Sequence, residues 1–486
     1  MASKKISGNK VGFILVAAII AVGLFSVILL GALSLASLQM KLNLTKIAST
    51  QALHVADAGV NYYRWVLYHQ HDDYCNKEAC KSGPAYGPYG PYEYTDASGK
   101  ISGYYELYIT PPATNGSTIV KVKSVGWISG FPKIKREIEV RLGIPAWSTY
   151  STLCNAFIRF GAGTEVWGPI HSNSGLRFDG IAHNLITSSV LDFADPDHGG
   201  GNEFGVHTHT APVDPLPDGS NPPLNVPDRP AVFMAGRTFP ISVVSFDMLD
   251  NYINEIYSMA TTSGYVLPAS GVQGYHFVIT PQAGVNNDEI KIYKVNTVTG
   301  TCDGQDTYGI TDETLFTTIA PPANGLIFAK DRIWIDGQIN NERLNILAFS
   351  EPFAGSASDI LINSNLLYTN YDGTDAIGLI AQRNISIGMY SLDTLEVDAG
   401  MIAKTGRIGR NYYTNYNSNG CNSTYSIRTS ITVRGSLATK NRYGFAYTDG
   451  TGYIFRNLIY DNFLTFSPPP HFPSTGEYTF ISWKEK

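Results

Sequence analysis

The segment between Phe193 and Pro215, FADPDHGGGNEFGVHTHTAPVDP, combines three histidines with several carboxylates. His207 and His209 would lie on one side of an extended strand, because alternate residues of a strand share a face. Two imidazoles with Asp195 or Asp197 would suit Zn²⁺, whereas the carboxylates alone would suit Ca²⁺. A solvated glycine-rich loop explains the same letters without an ion, so both interpretations stay open.

The chain offers little that indicates catalysis. It contains no Cys-x-x-Cys pair, nucleophile elbow or phosphate-binding loop. Asp179, Asp331 and Asp336 stand at the ends of candidate strands, where clustered carboxylates could cleave polysaccharides, but only analogy of fold supports this. We therefore expect a protein that is not an enzyme and that has no cofactor, with Ca²⁺ or Zn²⁺ as the stated alternative.

Five cysteines raise the question of disulfide bonds. Cys75 and Cys80 lie close together in the polar segment DDYCNKEACKSG, a spacing that permits a small disulfide-closed loop in an oxidising compartment. Two free thiols are the alternative. Cys154, Cys302 and Cys421 leave at least one thiol unpaired whatever the connectivity.

A Gly-Pro-Tyr repeat, GPAYGPYGPYEY, follows this segment. Its prolines exclude a helix or a central strand and predict a loop or polyproline arm. The four tyrosines could stack on sugars or on a partner protein, or fold back over the helix that precedes them. These tyrosines are Tyr86, Tyr89, Tyr92 and Tyr94.

The elements that would carry these groups begin with a long apolar helix. No residue between Lys10 and Lys41 is charged, and this stretch exceeds the roughly 20 apolar residues that span a bilayer. The basic residues before it predict a cytoplasmic N-terminus and an exported remainder. A cleaved secretory signal is the alternative. Without a proline before Pro84, the helix is predicted to continue over residues 13–70.

The second half of this helix carries small residues at helical spacing, which would let another backbone approach closely. We call this stripe the seam, and its partner is predicted to be either another helix or the protein's own sheet. The seam consists of Ala52, Ala56, Asp57, Gly59 and Tyr63.

A basic leader, Gly12-Phe13, a long apolar helix and the element Ala56-Asp57-Ala58-Gly59 resemble the type IV pilin-like proteins, and more closely the PilX-type minor pilins. The resemblance implies cleavage by a prepilin peptidase after Gly12, leaving Phe13 as the mature N-terminus. It also implies that other pilins bind through the helix. Major pilins carry Glu at the fifth mature position, where this chain has Ala17, and members without that Glu are thought to occupy a filament tip.

The remainder, which we call the head (residues 71–486), is predicted to be mainly β. YYELYIT, STIVKVKSVGWI and KIKREIEVRLG alternate polar and apolar residues and predict a small antiparallel sheet. Later strand-turn units such as DILINSNLLY and AIGLIAQRNISIG favour a β-solenoid, with a β-sandwich as the alternative. Patches such as LEVDAGMIAK are similar to large pilin-like surface proteins. A helix and a hairpin are predicted inside an α+β insertion.

These predictions divide the chain into seven segments. They are a cytoplasmic leader (1–12), the membrane helix (13–70), a Cys loop, Tyr-rich loop and antiparallel meander (71–145), a first solenoid part (146–236), the α+β insertion (237–318), a second solenoid part (319–460) and a Pro-rich tail (461–486).

The chain has a net charge of −6, whereas proteins that bind phosphate backbones present a basic surface. No nucleic-acid partner is therefore expected. The expected protein is a minor pilin-like subunit, made as a single-pass membrane precursor and displayed on the cell surface or in a pilus. There it would prime assembly or bind surface glycans, host proteins or partner-cell proteins. A membrane-anchored β-solenoid adhesin outside any pilus is one alternative, and a carbohydrate-active β-helix enzyme is another.

Overall fold

The structure is a computed structural model that describes residues 10–81, 86–113, 116–199, 201–284 and 287–486, with side chains from residue 13 onward. Most of the predicted leader and the first residues of the Gly-Pro-Tyr repeat lie outside these ranges. The chain forms two compact units. The first contains the described residues up to Pro111 with Val120–Leu142 and Phe480–Lys486, and the second contains Pro112–Ile119 and Gly143–Thr479.

Helix α1 spans Lys10–His69, which confirms the predicted long N-terminal helix. Every residue from 13 to 47 is exposed. From Ala48 onward one face is buried, with residues recurring at the three- and four-residue spacing of a helix stripe. The helix therefore has an unpacked apolar first half and a packed second half.

An antiparallel sheet covers the packed half of α1, as the sequence predicts. Its strands, in chain order, are β1 (Tyr89–Thr95), β2 (Ile101–Thr110), β3 (Val120–Ile128) and β4 (Lys135–Gly143). A later strand from the predicted Pro-rich tail lies beside β4; we number it β33 (Thr479–Glu485).

The prediction of a loop or polyproline arm is wrong for residues 89–94, because they lie in β1 at the edge of the sheet. An edge strand tolerates Pro91, since a residue without an N–H costs no bond on the side that has no neighbour. Register shifts between Tyr89 and Tyr92 accommodate the proline. The exclusion of a central strand is consistent with this position.

The second unit begins with very short strands. They are β5 (Thr152–Cys154), β6 (Ile158–Phe160), β7 (Glu165–Trp167), β8 (Ile170–Ser172), β9 (Leu176–Phe178), β10 (Ile181–Ala182), β11 (Ile186–Ser188), β12 (Asp192–Ala194), β13 (Asn202–Phe204), β14 (Val206–His207) and β15 (Arg237–Thr238).

The middle of the unit carries helix α2 (Met248–Ser263) and strands of two to ten residues, among them an antiparallel β17–β18 hairpin. The strands are β16 (Tyr265–Leu267), β17 (Gly274–Thr280), β18 (Glu289–Val298), β19 (Thr301–Cys302), β20 (Gln305–Asp306) and β21 (Ile310–Ile319).

The last part contains the short helix α3 (Ser423–Ser426), a 3₁₀ turn at Asn462–Thr465 and eleven strands. The strands are β22 (Leu326–Ala329), β23 (Ile333–Ile339), β24 (Arg343–Ala348), β25 (Ile360–Ile362), β26 (Leu366–Tyr368), β27 (Ala376–Ala381), β28 (Ile385–Ile387), β29 (Thr394–Ala403), β30 (Ile408–Arg410), β31 (Ile427–Thr439) and β32 (Gly452–Tyr460).

Parallel pairing joins strands that are far apart in sequence. One run follows the order β16, β22, β24, β27, β29, β31, β5, β8, β11 and β15. Another follows β17, β23, β25, β28 and β30. Strands β16 and β17 thus belong to the same parallel runs as later strands, although they fall inside the predicted insertion.

Buried aliphatic side chains stack in register across these runs. Ile327, Ile346, Leu379, Met401 and Leu437 form one such column, and each is at most 2% exposed. Side chains that repeat at the same position of successive parallel strands bury one another continuously. This column belongs to the core of the second unit.

Candidate functional site

The seam of α1 lies against the protein's own sheet. Ala52 and Ala56 are fully buried, and Gly126 of β3 faces them. A Cβ atom on Gly126 would lie 2.6 Å from the Ala52 carbonyl oxygen and closer still to the Ala56 nitrogen. The helix and strand backbones are therefore in direct contact, a helix-to-sheet approach that only small residues permit.

The same close approach continues one turn later. A Cβ on Gly59 would lie 2.6 Å from the Tyr105 ring and would overlap the hydroxyl of Ser124. Tyr63 is fully buried and donates its hydroxyl hydrogen to the Asp73 carbonyl oxygen at 2.7 Å. Burial raises the pKa of the Tyr63 phenol well above its ordinary range. Gly59 therefore packs directly on β2 and β3, whereas Tyr63 bonds the helix to the segment that follows it.

Asp57 lies at the side of the seam, where β33 passes. Its carboxylate accepts a hydrogen bond from the Trp483 indole at 3.4 Å and another from the Asn61 amide at 3.1 Å. Two turns after Asp57, the Arg64 guanidinium lies over the Phe480 ring at 4.8 Å. The acidic residue of the Ala-Asp-Ala-Gly element therefore contacts β33 within its own unit.

The first half of α1 carries the residues predicted for processing. Gly12 lies in the helix, and Phe13 and Ala17 are exposed on it. The most apolar 18-residue window has a mean hydropathy of 3.1, and none of its residues is buried. By length and composition this helix can cross a membrane, although a signal sequence near an N-terminus has the same properties.

The residues predicted around the Cys and Tyr segments come together near the end of α1. Cys75 and Cys80 form a disulfide, with Cα atoms 4.8 Å apart. Tyr89 is buried, and Tyr92 is half-buried beside Tyr62 and Tyr105, with hydrogen bonds to Asn76 and Glu78.

Tyr94 is also half-buried, whereas Tyr86 is exposed. Since the rings of Tyr89 and Tyr92 are turned toward the protein, Tyr86 has the most accessible of the four tyrosine side chains.

The His-rich segment places three predicted ligands together in the second unit. Candidate ligand atoms of Asp195, His207 and His209 all lie within 4.8 Å of one another. Asp195 and His207 have fully buried side chains, and His209 is half-buried. A second group of the same kind adds Glu203, which accepts hydrogen bonds from His198 at 3.0 Å and His209 at 3.2 Å.

Asp197 does not join these groups. Its carboxylate pairs with Arg442 at 2.7 Å and with Arg159 at 3.6 Å, and these cations lower its pKa. Glu203 takes its place beside the histidines. The sequence does not show which carboxylate of a loop lies beside the histidines as a candidate ligand. That choice depends on which carboxylates pair with arginines in the fold.

The hydrogen bonds of His207 define its state. Its Nδ1–H donates to the Phe204 carbonyl oxygen at 3.1 Å, and Nε2 faces Asp195 Oδ2 at 3.4 Å. Burial lowers the pKa of the imidazole, which favours the neutral ring. Within the described residues, His207 Nε2, Asp195 Oδ2 and Glu203 Oε2 are buried without a hydrogen-bond partner.

The carboxylates considered for catalysis have separate partners. Asp179 pairs with Arg177 at 2.7 Å, Asp331 accepts from the Ser270 amide at 2.8 Å, and Asp336 accepts from His276 at 2.9 Å.

The structure contains a second disulfide that the sequence does not predict. Cys302 and Cys421 are bonded across 119 residues, with Cα atoms 4.4 Å apart, and Cys154 is the free, buried cysteine. The parity of five cysteines permitted this pair, but the sequence contains no spacing signal that selects it.

Comparison with known proteins gives little to add to this geometry. No family model matches the chain, and no curated protein matches it. Among solved structures, the chain is similar to the competence-associated pilin ComZ from Thermus thermophilus, at 12% identity and a TM-score of 0.31. The alignment covers 90% of this chain and 98% of that one. A TM-score this low supports no argument about fold or function.

Proposed function

We propose that the chain is a minor pilin-like subunit of a type IV pilus or a related filament. The observation that carries this proposal is the division of α1. One continuous helix leaves residues 13–47, which are uncharged up to Met40, unpacked and fixes its second half to an antiparallel sheet through the seam. A helix built in this way can reside in a membrane first and pack among other apolar helices in a filament later.

Processing is the first step of the proposed pathway. The basic leader holds the N-terminus in the cytoplasm, and a prepilin peptidase cuts between Gly12 and Phe13. The partners are then other pilins, bound through the exposed apolar half of α1, and the bilayer before assembly. The two disulfides support an oxidising location for the head.

The head adds a β-solenoid to the small sheet in this proposal. Parallel runs such as β22, β24, β27 and β29 support it, because a β-sandwich is built from antiparallel sheets. Stacked rungs would present a repeating surface suited to adhesion, and Tyr86 is the exposed tyrosine of the Gly-Pro-Tyr repeat.

Position in the filament follows from Ala17. This subunit has no carboxylate at the fifth mature position to pair with the terminal amine of a neighbour. Leaving a buried charge unpaired costs on the order of 3 to 5 kcal/mol. We therefore place the subunit at the tip, where no neighbour requires that carboxylate, and where the large head meets no crowding from a repeating shaft.

Mass spectrometry of the mature protein tests the proposal directly. An N-methylated Phe13 terminus is expected, and a terminus at Met1 or Ala2 would refute processing. Gly12→Leu should leave only the precursor in the membrane, because the site before the cut accepts a small side chain. Gly23→Leu is the matched control, since nothing lies within 4 Å of that position in the structure, and it should mature as the parent does.

The missing carboxylate also favours a second candidate, an anchored adhesin that never enters a filament. Immunogold labelling of isolated filaments separates the two functions. Gold at filament ends supports the tip subunit, and its absence from filaments supports the adhesin. Labelling along the shaft would contradict the tip position. Ala17→Glu should shift gold toward the shaft if the missing carboxylate is what excludes the subunit.

A further inference from the structure

We propose that Asp195, His207 and His209, with Glu203 beside them, bind a divalent transition-metal ion of the Zn²⁺ class. The inference is independent of the pilin-like function, because all four residues belong to the second unit and none lies on α1.

The strongest support comes from two buried atoms that face each other, His207 Nε2 and Asp195 Oδ2. A carbonyl oxygen can only accept, so the contact with Phe204 fixes the hydrogen of His207 on Nδ1. Nε2 then lies 3.4 Å from Asp195 Oδ2, and both atoms are buried without a hydrogen-bond partner. Buried polar atoms without partners are unfavourable, and a metal ion bound to both of these atoms would satisfy them.

The same hydrogen bond is the one that metal-bound histidines usually make. A ligating imidazole commonly donates its second ring N–H to a backbone carbonyl or carboxylate, which orients the ring and raises its basicity. His207 donates to Phe204, and His209 is held through its contact with Glu203 at 3.2 Å. Asp195 is fixed by its other oxygen, which accepts from the Asp197 amide at 2.8 Å.

The local backbone explains why the ligands meet. Glu203 lies on β13 and His207 on β14, and only Gly205 and its two neighbours separate them. A Cβ on Gly205 would overlap the Val190 carbonyl oxygen, so glycine is needed for this tight passage. Strand β14 then pairs in parallel with β9, which seats His207 in the core.

A neighbouring cation competes for the same carboxylate. Arg177 Nη1 lies 3.5 Å from Asp195 Oδ2, but its Nε donates to Asp179 at 2.7 Å. The contact with Asp195 is not a hydrogen bond, and Oδ2 keeps an unsatisfied lone pair. Two imidazoles with carboxylates match the preferences of Zn²⁺, whereas Ca²⁺ prefers a shell made of oxygen alone.

His276 provides an internal contrast. Both of its ring nitrogens contact carboxylates, Nδ1 with Glu313 at 2.8 Å and Nε2 with Asp336 at 2.9 Å. The pair of carboxylates satisfies both nitrogens when the ring is protonated, so no lone pair is left for a metal. His276→Gln is therefore the matched control for the loss of a histidine from a carboxylate cluster.

Equilibrium dialysis of the full chain in detergent, after treatment with a chelator, tests the site. With Zn²⁺ as the probe, we expect one ion per chain, measured by elemental mass spectrometry. His209→Ala should weaken binding by at least about 10-fold, as should Asp195→Asn. His276→Gln should bind as the parent does. His209 is half-buried, so its variant keeps the test valid if Asp195→Asn fails to fold.

Two results would overturn the inference. One is a parent protein that binds no Zn²⁺, which would leave His207 and Asp195 as a charged ion pair. The other is Zn²⁺ binding that persists with parental affinity in His209→Ala. Binding of Ca²⁺ in preference to Zn²⁺ would overturn the assigned class of metal.

Discussion

Gly126→Ala tests the contact between the seam and the sheet with a single methyl group. The new Cβ would lie 2.6 Å from the Ala52 carbonyl oxygen, and ordinary van der Waals contact begins at 3.4 Å. The obstructing atoms belong to the helix backbone, which cannot rotate away as a side chain can. Helix and strand must therefore separate by on the order of 1 Å, which forfeits a quarter to a half of the dispersion energy of each displaced contact.

Overpacking of this kind costs about 1 to 3 kcal/mol, and the rigid neighbours favour the upper part of that range. The assay is hydrogen exchange of the full chain in detergent, resolved by mass spectrometry to β3 and β4. A loss of about 2 kcal/mol would make exchange in β3 roughly 30-fold faster. Peptides from β27 in the second unit serve as an internal reference.

Gly130→Ala is the matched control, because nothing lies within 4 Å of that position. It should leave the protection of β3 unchanged. Equal exchange in Gly126→Ala and Gly130→Ala would refute the view that small residues are required for a direct backbone contact.

Three further predictions concern stability. Gly59→Leu should destabilise the first unit by about 1 to 3 kcal/mol, measured by thermal unfolding, and parental melting would contradict this. Burial raises the pKa of Glu342 from 4.5 to about 7, so the folded state favours the protonated form and loses stability as pH rises from 4.5 to 7. Glu342→Gln should therefore weaken the pH dependence of the free energy of unfolding, measured by denaturant titration. At pH 7 it should stabilise the protein by about 2 kcal/mol after allowance for solvent screening. An unchanged pH profile would refute this prediction. Replacing Cys302 and Cys421 together by Ser should cost about 2 to 4 kcal/mol, because the bond closes a loop of 119 residues, and an unchanged denaturation midpoint would contradict this.

The helix and the meander could be predicted because their signals are local. An uncharged apolar run and a period of two need no knowledge of distant residues. The residue that faces the seam could not be predicted, because glycine in a strand is typical of a bulge and nothing in the sequence pairs Gly126 with Ala56. The sequence does not predict strand β33, because most of its side chains are exposed and it follows a Pro-rich stretch.

The candidate metal site was predictable only in part. His207 and His209 are close in sequence, so their proximity in space followed from local spacing. The choice of Glu203 over Asp197 depended on Arg442, which lies 245 residues away. The Cys302–Cys421 bond depends on the same kind of long-range contact.

The pairing of β33 beside β4 affects the order in which the chain can fold. Gly143 at the end of β4 and Thr479 at the start of β33 are 336 residues apart. At about 5 to 20 residues per second, a ribosome takes on the order of 20 to 70 s to traverse that distance. During this time the sheet that supports α1 has an open edge, and open edges recruit foreign strands. The edge of β4 can therefore pair with other strands until Thr479–Glu485 has been synthesised.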